Sequence, residues 1–139
     1  MFVVFDLDGT LANTDHRAHL VAGKDWRGYF AACDKDPPHK HVIEVAHALH
    51  IAGHRVEIWS GRSDEVRDKT EAWLSVYDLD IFPLRMRKAG DHTADDVLKR
   101  QWLLEADKFP DLIFDDRAKV VRMWRAMGVP CAQVADGDF

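Results

Sequence analysis

The feature that most constrains the fold is the start of the chain, where a short apolar run leads directly into two acidic side chains. The run Phe2–Phe5 has the composition of a buried strand, and Asp6 and Asp8 follow it before a Gly-Thr break. Since side chains two apart on an extended chain share a face, both carboxylates should enter one crevice at the strand's carboxyl end. Two acids so close in a dry site need a neighbouring cation or a shared proton.

Strand and helix patterns alternate along the rest of the sequence. Further strands are predicted over residues 54–59, 81–87, 111–114 and 129–135, and helices over residues 39–52, 63–74, 93–103 and 118–127. This alternation is typical of a parallel sheet with helices on both faces. We therefore predict an α/β fold with three layers, Rossmann-like, with about five parallel strands.

Local signals refine three of these boundaries. Ser60-Gly61-Arg62 is expected to end the second strand before Ser63 caps the next helix. Pro83 indicates an edge position or an irregular pairing for the third strand. Thr93 and Asp96 have the spacing of a capping box at the start of the following helix.

Residues 11–41 are too long for a simple strand-to-helix connection and predict a small inserted cap. Pro37-Pro38 closes this segment. Its apolar side chains fall on one stripe of a short helix, namely Trp26, Tyr29, Phe30 and Cys33. We interpret the stripe as packing, within a small lid that leans on the crevice.

Composition limits the classes of function. A chain of 139 residues with 47% hydrophobic content predicts one domain over residues 1–139. The formal charge of −5 argues against an extended nucleic-acid-binding surface. Two widely separated cysteines and the absence of a signal peptide or long apolar run favour a cytoplasmic protein that contacts no membrane.

Three predicted strands end in polar side chains, and parallel topology brings those ends to one edge of the sheet. They are Asp6 and Asp8, then Ser60 and Arg62, then Asp115 and Asp116. Hard carboxylate oxygens without a thiolate or clustered imidazole favour Mg²⁺ over zinc.

These residues resemble the haloacid dehalogenase (HAD) superfamily of aspartate-nucleophile phosphatases. The resemblance rests on Asp6-Leu-Asp8-Gly-Thr, Ser60-Gly-Arg62, Lys99 and Asp115-Asp116. More narrowly, the chain is similar to the 3′-phosphatase domain of phage-type polynucleotide kinase/phosphatase, through Arg17, Gly90-Asp91, residues 95–99, Asp115-Asp116-Arg117 and residues 133–139. A Gly-x-x-x-x-Gly-Lys-Ser/Thr loop is missing, so the kinase half of such an enzyme is absent from this chain.

The resemblance implies a role for each matched residue. Asp6 would be the nucleophile that forms an aspartyl-phosphate, and Asp8 the general acid and base. Mg²⁺ would be bound by Asp6, the backbone carbonyl of Asp8 and one of the last two acids. Because neighbouring strand residues face opposite sides, we favour Asp116 as the ligand, with Asp115 orienting it.

Phosphate recognition is implied for a second group of residues. Ser60 and the backbone that follows, including Gly61, would receive phosphoryl oxygens, and Lys99 would neutralise the aspartyl-phosphate. Arg17 and Arg62 flank matched motifs and are predicted to bind substrate phosphate. Arg87 and Asp95 are further substrate-binding candidates, carried by the resemblance.

The implied substrate is a phosphorylated nucleotide or nucleic-acid 3′ end. A general nucleotidase or small-metabolite phosphatase is the alternative, because the HAD motifs fix the chemistry and leave the leaving group open. A catalytically silent phosphate-sensing module is a third possibility, although every catalytic group is in place.

Overall fold

The computed structural model describes residues 1–138 and builds them around a five-stranded parallel sheet. The strands are β1 (Phe2–Phe5), β2 (Arg55–Ser63), β3 (Leu84–Arg87), β4 (Leu112–Asp115) and β5 (Cys131–Gln133), in the spatial order β3-β2-β1-β4-β5. The helices are α1 (Ala18–Ala22), α2 (Trp26–Ala31), α3 (Lys40–Ile51), α4 (Arg67–Val76), α5 (Asp95–Glu105) and α6 (Ala118–Ala126). The predicted fold class and strand number are confirmed.

The central strand β1 is apolar throughout because both faces of the sheet are covered. Val3 and Phe5 belong to a core shared with α3 and α4, where Trp73 and Leu74 are buried. The intervening residues of β1 belong to a second core, whose helical members include Leu98, Leu103, Val120 and Trp124 of α5 and α6. Two cores on opposite faces make the three layers.

The strand order places a topological switch point beside β1. The chain lays β2 and β3 on one side of β1 and then returns to place β4 and β5 on the other side. Phe5 of β1 is in register with Phe114 of β4, and the Asp6 amide donates to the Phe114 carbonyl at 2.9 Å. Side chains that leave the ends of β1 and β4 therefore meet in one crevice, which is where open α/β sheets bind ligands.

Strand β2 extends further than predicted. It continues through Ser60-Gly61-Arg62 to Ser63, because Ser60 pairs with Met86 of β3 and, after an irregularity at Gly61 and Arg62, Ser63 pairs with Arg87. The Ser63 hydroxyl accepts from the Glu65 amide at 3.3 Å and caps a single 3₁₀ turn, after which α4 begins. Ser63 is therefore a cap residue, as predicted, but it caps the 3₁₀ turn and not α4.

The predicted capping box at Thr93 is wrong. The Thr93 hydroxyl donates to Asp91 Oδ1 at 2.6 Å, and Ala94 occupies the cap position without a side-chain bond. Strand β3 begins only after Pro83 and lies at the edge of the sheet, as the proline predicted.

The predicted insert is joined to the sheet at its base and carries two short helices, α1 and α2. The backbone N–H of Asn13 donates to the Pro37 carbonyl at 2.7 Å, so the two ends of the insert lie side by side. Of the predicted packing stripe, Tyr29 and Cys33 are buried, whereas half of the Trp26 surface is exposed, at 50%. Within residues 1–138, none of the helices has the length and apolar character needed to cross a bilayer.

Candidate active site

A cavity of about 520 Å³ opens at the carboxyl ends of β1, β2 and β4. Six of the predicted site residues line it: Asp6, Asp8, Gly61, Arg87, Asp95 and Asp116. The remaining five, Ser60, Arg17, Arg62, Lys99 and Asp115, are buried. The sequence-predicted residues thus form one continuous cluster, part at the surface of the cavity and part in its supporting layer.

Lys99 and Asp6 form the centre of the cluster. Lys99 projects from α5, only 1% exposed, and its Nζ donates to Asp6 Oδ1 at 2.6 Å and to Asp115 Oδ2 at 3.2 Å. Burial opposes a charge on Lys99, but the carboxylates of Asp115 and Asp6 outweigh it and raise the pKa of the ammonium. The lysine is therefore a permanent cation between two acids.

A third acid completes a carboxylate group that offers a metal site. Oxygen atoms of Asp6, Asp115 and Asp116 all lie within 4.8 Å of one another, and all three residues are buried. Asp115 and Asp116 were expected to face opposite sides, but Asp116 lies beyond the end of β4, so strand alternation does not separate them. Gly9 leaves room for the Asp116 carboxylate, since a Cβ at position 9 would lie 2.0 Å from Asp116 Oδ2.

The electrostatics of this group favour a bound cation. Burial raises the pKa of Asp6, and the charges of Asp115 and Asp116 raise it further, against the opposing effect of Lys99. Burial and Asp115 raise the pKa of Asp116 to about 7. One lysine does not balance three carboxylates, and a divalent ion with hard oxygen ligands fits this donor set.

Asp8 follows the same strand as Asp6, but its neighbours are two cations rather than two carboxylates. Its Oδ1 accepts from Arg17 Nη2 at 2.7 Å and from Arg62 Nε and Nη2 at 2.9 and 2.7 Å. Burial alone would raise the pKa of Asp8, but the two guanidiniums outweigh it and hold that pKa below its usual range. The side chain is 21% exposed and reaches the cavity.

Arg17 and Arg62 lie elsewhere than predicted. Both were expected to contact substrate phosphate, but both are fully buried and neither lines the cavity. The guanidinium N–H groups of both arginines donate to Asp8 and to Asp36. Charges this deep require charged partners, and the structure supplies them behind Asp8.

Asp36 is the site residue that sequence reasoning missed. Its fully buried carboxylate accepts from Arg17 Nε at 2.8 Å and Nη2 at 2.7 Å, and from Arg62 Nη2 at 3.0 Å. His16 Nε2 lies 2.6 Å away. The sequence gives no signal that separates Asp36 from exposed Asp34, because its importance depends on arginines that only the fold brings near.

The remaining predicted residues organise the β2 and β3 side of the cavity. Ser60 is fully buried, and its hydroxyl accepts from the Arg62 amide at 3.2 Å. Arg87 donates to the Gly61 carbonyl at 2.9 Å and lies 3.3 Å from Asp95 Oδ1. Asp95 also lies 3.9 Å from Lys99 Nζ, so this side is linked to the carboxylate group.

Comparisons with known proteins point to one family. Residues 1–139 match the family model for the polynucleotide kinase PNKP phosphatase domain. Two solved chains, both from structures of the Pnkp1/Rnl/Hen1 complex, one described as an RNA repair complex, superpose with TM-scores of 0.87 and 0.85 at 33% and 34% identity. The match covers 99% of this chain but 43% and 47% of those chains, so this chain spans less than half their length.

A more distant likeness concerns the fold alone. A haloacid dehalogenase-like hydrolase from Streptococcus pneumoniae has a TM-score of 0.66 at 12% identity, covering 94% of this chain and 82% of that protein. The class C acid phosphatase from Bacillus anthracis has a TM-score of 0.68 at 16% identity, covering 99% of this chain and 67% of that protein.

Proposed function

The chain belongs to the family of polynucleotide kinase PNKP phosphatase domains, with an HAD-like α/β fold, and we propose that it removes 3′-phosphates from nucleic-acid ends or nucleotides. Membership of this family makes the chain a phosphatase. The observation that carries the proposal is geometric: Asp6 and Asp8 line the same cavity, Asp6 beside Lys99 in a carboxylate group that fits a divalent ion, and Asp8 bound by two guanidiniums. A divalent ion at the carboxylate group would oppose the burial that raises the pKa of Asp6 and so favour the ionised form that attacks.

In the proposed reaction Asp6 is the nucleophile. Its carboxylate oxygen attacks phosphorus, the bond from phosphorus to the 3′ oxygen breaks, and Asp8 gives that oxygen a proton. Water then attacks phosphorus and gives a proton to Asp8, the bond between phosphorus and the Asp6 oxygen breaks, and inorganic phosphate leaves with the Asp6 carboxylate restored. An anionic phosphate beside Asp8 raises the pKa of its carboxyl and so favours the protonated form needed first.

Asp6, the backbone carbonyl of Asp8 and Asp116 would hold Mg²⁺, with Asp115 orienting Asp116. Mg²⁺ would supply positive charge that masks the phosphoryl oxygens from an anionic nucleophile. Asp115 suits an orienting role because its carboxylate also accepts from Trp124 Nε1 at 3.1 Å and from the Arg117 amide at 3.2 Å.

The other roles follow from the contacts. Lys99 holds Asp6 in place and offsets the charge of the aspartyl-phosphate, while the Gly61 backbone, which lines the cavity, receives phosphoryl oxygens. Ser60 is buried behind this backbone and supports it through the hydrogen bond that its hydroxyl accepts from the Arg62 amide. Arg87 and Asp95 shape the cavity on the substrate side. We assign Arg17 and Arg62 to positioning Asp8, since the structure keeps both out of the cavity.

The setting proposed for this reaction is one HAD-like domain over residues 1–139 with a minimal cap at residues 11–41. A cytoplasmic location agrees with Cys33 and Cys131, which are free buried thiols. The net charge of −5 favours contact with one terminal nucleotide rather than a long polymer.

A phosphate-release assay with positional isomers tests the proposal. One oligonucleotide is prepared with a 3′-phosphate or a 5′-phosphate, beside the matching mononucleotides and sugar phosphates, all with Mg²⁺. We expect the 3′-phosphates to be preferred, with the mononucleotide nearly as good as the oligonucleotide. Preference for 5′-phosphates or sugar phosphates would support the nucleotidase alternative, and no turnover on any substrate would support the sensing module.

A further inference from the structure

We propose that the exposed ring of Trp26 stacks on the base of the nucleotide that carries the scissile phosphate. This inference rests on the proposed function and adds the base to the recognised part of the substrate. The group bound by Trp26 is the terminal base of a nucleic-acid strand or of a single nucleotide, whichever base it is.

Trp26 forms an aromatic wall of the cavity together with Phe30. Both residues line the cavity that contains Asp6 and Asp8. Their ring centroids lie 6.3 Å apart with the planes only 31° from parallel. Trp26 is 50% exposed, although it belongs to a stripe that predicts packing. A large apolar ring left open beside a reactive site, on the cavity side of the insert, is suited to contact a ligand.

The position of Trp26 is fixed relative to Asp8. The ring of buried Tyr29 meets Trp26 edge to face, with centroids 5.9 Å apart, and the Arg17 guanidinium lies 4.1 Å from the centroid of the same Tyr29 ring. Arg17 in turn donates to Asp8. The aromatic wall is thus held by the same residues that hold Asp8, so its distance from the site of phosphate cleavage is set before substrate arrives.

Helix α2, which carries Trp26, is capped at its start and bound to α4 at its end. The Asp25 carboxylate accepts from the Gly28 amide at 2.9 Å, and Lys69 Nζ of α4 donates to the Ala31 carbonyl at 2.7 Å. A platform that is already ordered in the free protein loses little conformational entropy on binding.

The size and chemistry of the cavity favour a nucleotide over a bare phosphate. Its volume of about 520 Å³ is in the range that holds drug-sized ligands, roughly 300–1,000 Å³. Its lining includes both carboxylates and aromatic rings, so it offers one kind of group to a phosphate with its cation and another to a flat apolar group. Stacking accepts every base because each has a π face, which suits an enzyme that acts on ends of any sequence.

Steady-state kinetics on a matched substrate pair test the inference. The pair is a deoxynucleoside 3′-phosphate and the same sugar 3′-phosphate without a base, each with Mg²⁺. We expect Trp26→Ala to raise KM for the base-bearing substrate by about fivefold to tenfold, the lower part of the range for base–aromatic stacking, and to leave the baseless substrate unchanged. Trp26→Phe should retain most of the affinity.

The control is Phe109→Ala, which removes an aromatic ring of similar exposure, 43%, outside the cavity. It should leave both substrates unchanged. Equal loss on the two substrates with Trp26→Ala, or no loss on either, would overturn base stacking.

A binding measurement separates this inference from the proposed function. If the wild-type protein releases phosphate from neither substrate, the proposed function fails. The nucleoside 3′-phosphate is then titrated against intrinsic tryptophan fluorescence of the wild type and of Trp26→Phe. Quenching confined to the wild type would support stacking on Trp26, whereas equal quenching or none in both would refute it.

Discussion

The Nζ atom of Lys99 lies 2.6 Å from Oδ1 of Asp6, in a contact that joins the middle of α5 to the end of β1. Both residues are almost fully buried and lie 93 positions apart in the sequence. A buried charge without its partner is strongly unfavourable, so each member of the pair holds the other in position.

The first prediction concerns this pair. Lys99→Met should lower kcat by at least about 100-fold, the loss expected when one preorganised charged donor is removed from a site of developing negative charge. The measurement is phosphate release under saturating substrate and Mg²⁺. Lys119→Met is the control, because its side chain is 49% exposed and forms an ion pair with Asp96 on the neighbouring helix α5, away from Asp6. A Lys99→Met enzyme with kcat near that of the control would show that the lysine is structural only.

The second prediction concerns the two arginines behind Asp8. Arg17→Lys keeps a positive charge but loses the planar fork, so Asp8 is held less firmly. We expect kcat to fall at least about tenfold, or ~1.4 kcal/mol of transition-state stabilisation, with KM little changed. Exposed Arg122→Lys is the control and should behave as the wild type. A rise in KM at unchanged kcat would instead place Arg17 in contact with the substrate phosphate.

The third prediction concerns stability. Asp36→Ala leaves the guanidiniums of Arg17 and Arg62 without one of their buried partners and should lower the free energy of unfolding by about 3–5 kcal/mol. Urea denaturation measures this change. Asp34→Ala, two positions away and exposed, should stay within about 0.5 kcal/mol of the wild type. Similar stability of the two variants would contradict the assignment of Asp36.

The fourth prediction concerns pH. Burial and the charge of Asp115 raise the pKa of Asp116 to about 7, against about 3.9 in an unfolded chain. Between about pH 4 and pH 7 the folded protein therefore holds more protons than the unfolded chain, and its stability without metal should fall as pH rises through that window. Asp8, whose pKa is lowered, acts in the opposite direction, but its contribution is lost only below about pH 4.

Urea unfolding of chelator-treated protein at pH 5 and pH 7.5 measures this slope. Asp116→Asn should flatten the slope, because its amide does not titrate, and added Mg²⁺ should remove most of it by stabilising the ionised carboxylates. A stability that rises with pH in the metal-free wild type would contradict the predicted direction.

The sequence predicted the parts of the site that lie at strand ends. Asp6, Asp8, Asp115 and Asp116 follow apolar runs, and parallel topology alone brings such ends together. The five strands and their helices follow from the same alternation of patterns. Local signals were less reliable. The strand continues past Ser60-Gly61-Arg62 because Ser63 pairs again with β3, a tertiary contact that no local pattern reports.

The contacts of Arg17, Arg62 and Asp36 behind Asp8 could not be predicted, because they depend on burial. Arg17 was taken for a substrate ligand, since an isolated arginine after a phosphatase motif suggests phosphate binding. Its partner Asp36 lies 19 positions further on, and only folding of the insert buries the two together. Trp26 was assigned to packing because it shares a helical spacing with residues that are buried. Spacing alone does not show that the first residue of such a stripe faces a cavity.

Transfer of a labelled phosphate tests the central claim, that Asp6 carries the phosphoryl group, most directly. An oligonucleotide with a radioactive 3′-phosphate is mixed with enzyme and Mg²⁺, quenched in acid within milliseconds, and the protein is assayed for label. We expect label on the wild-type protein that hydroxylamine releases, as an acyl phosphate should, and neither label nor turnover with Asp6→Asn. Release of labelled phosphate without labelled protein, or an Asp6→Asn enzyme with even a tenth of wild-type turnover, would contradict the covalent route through Asp6.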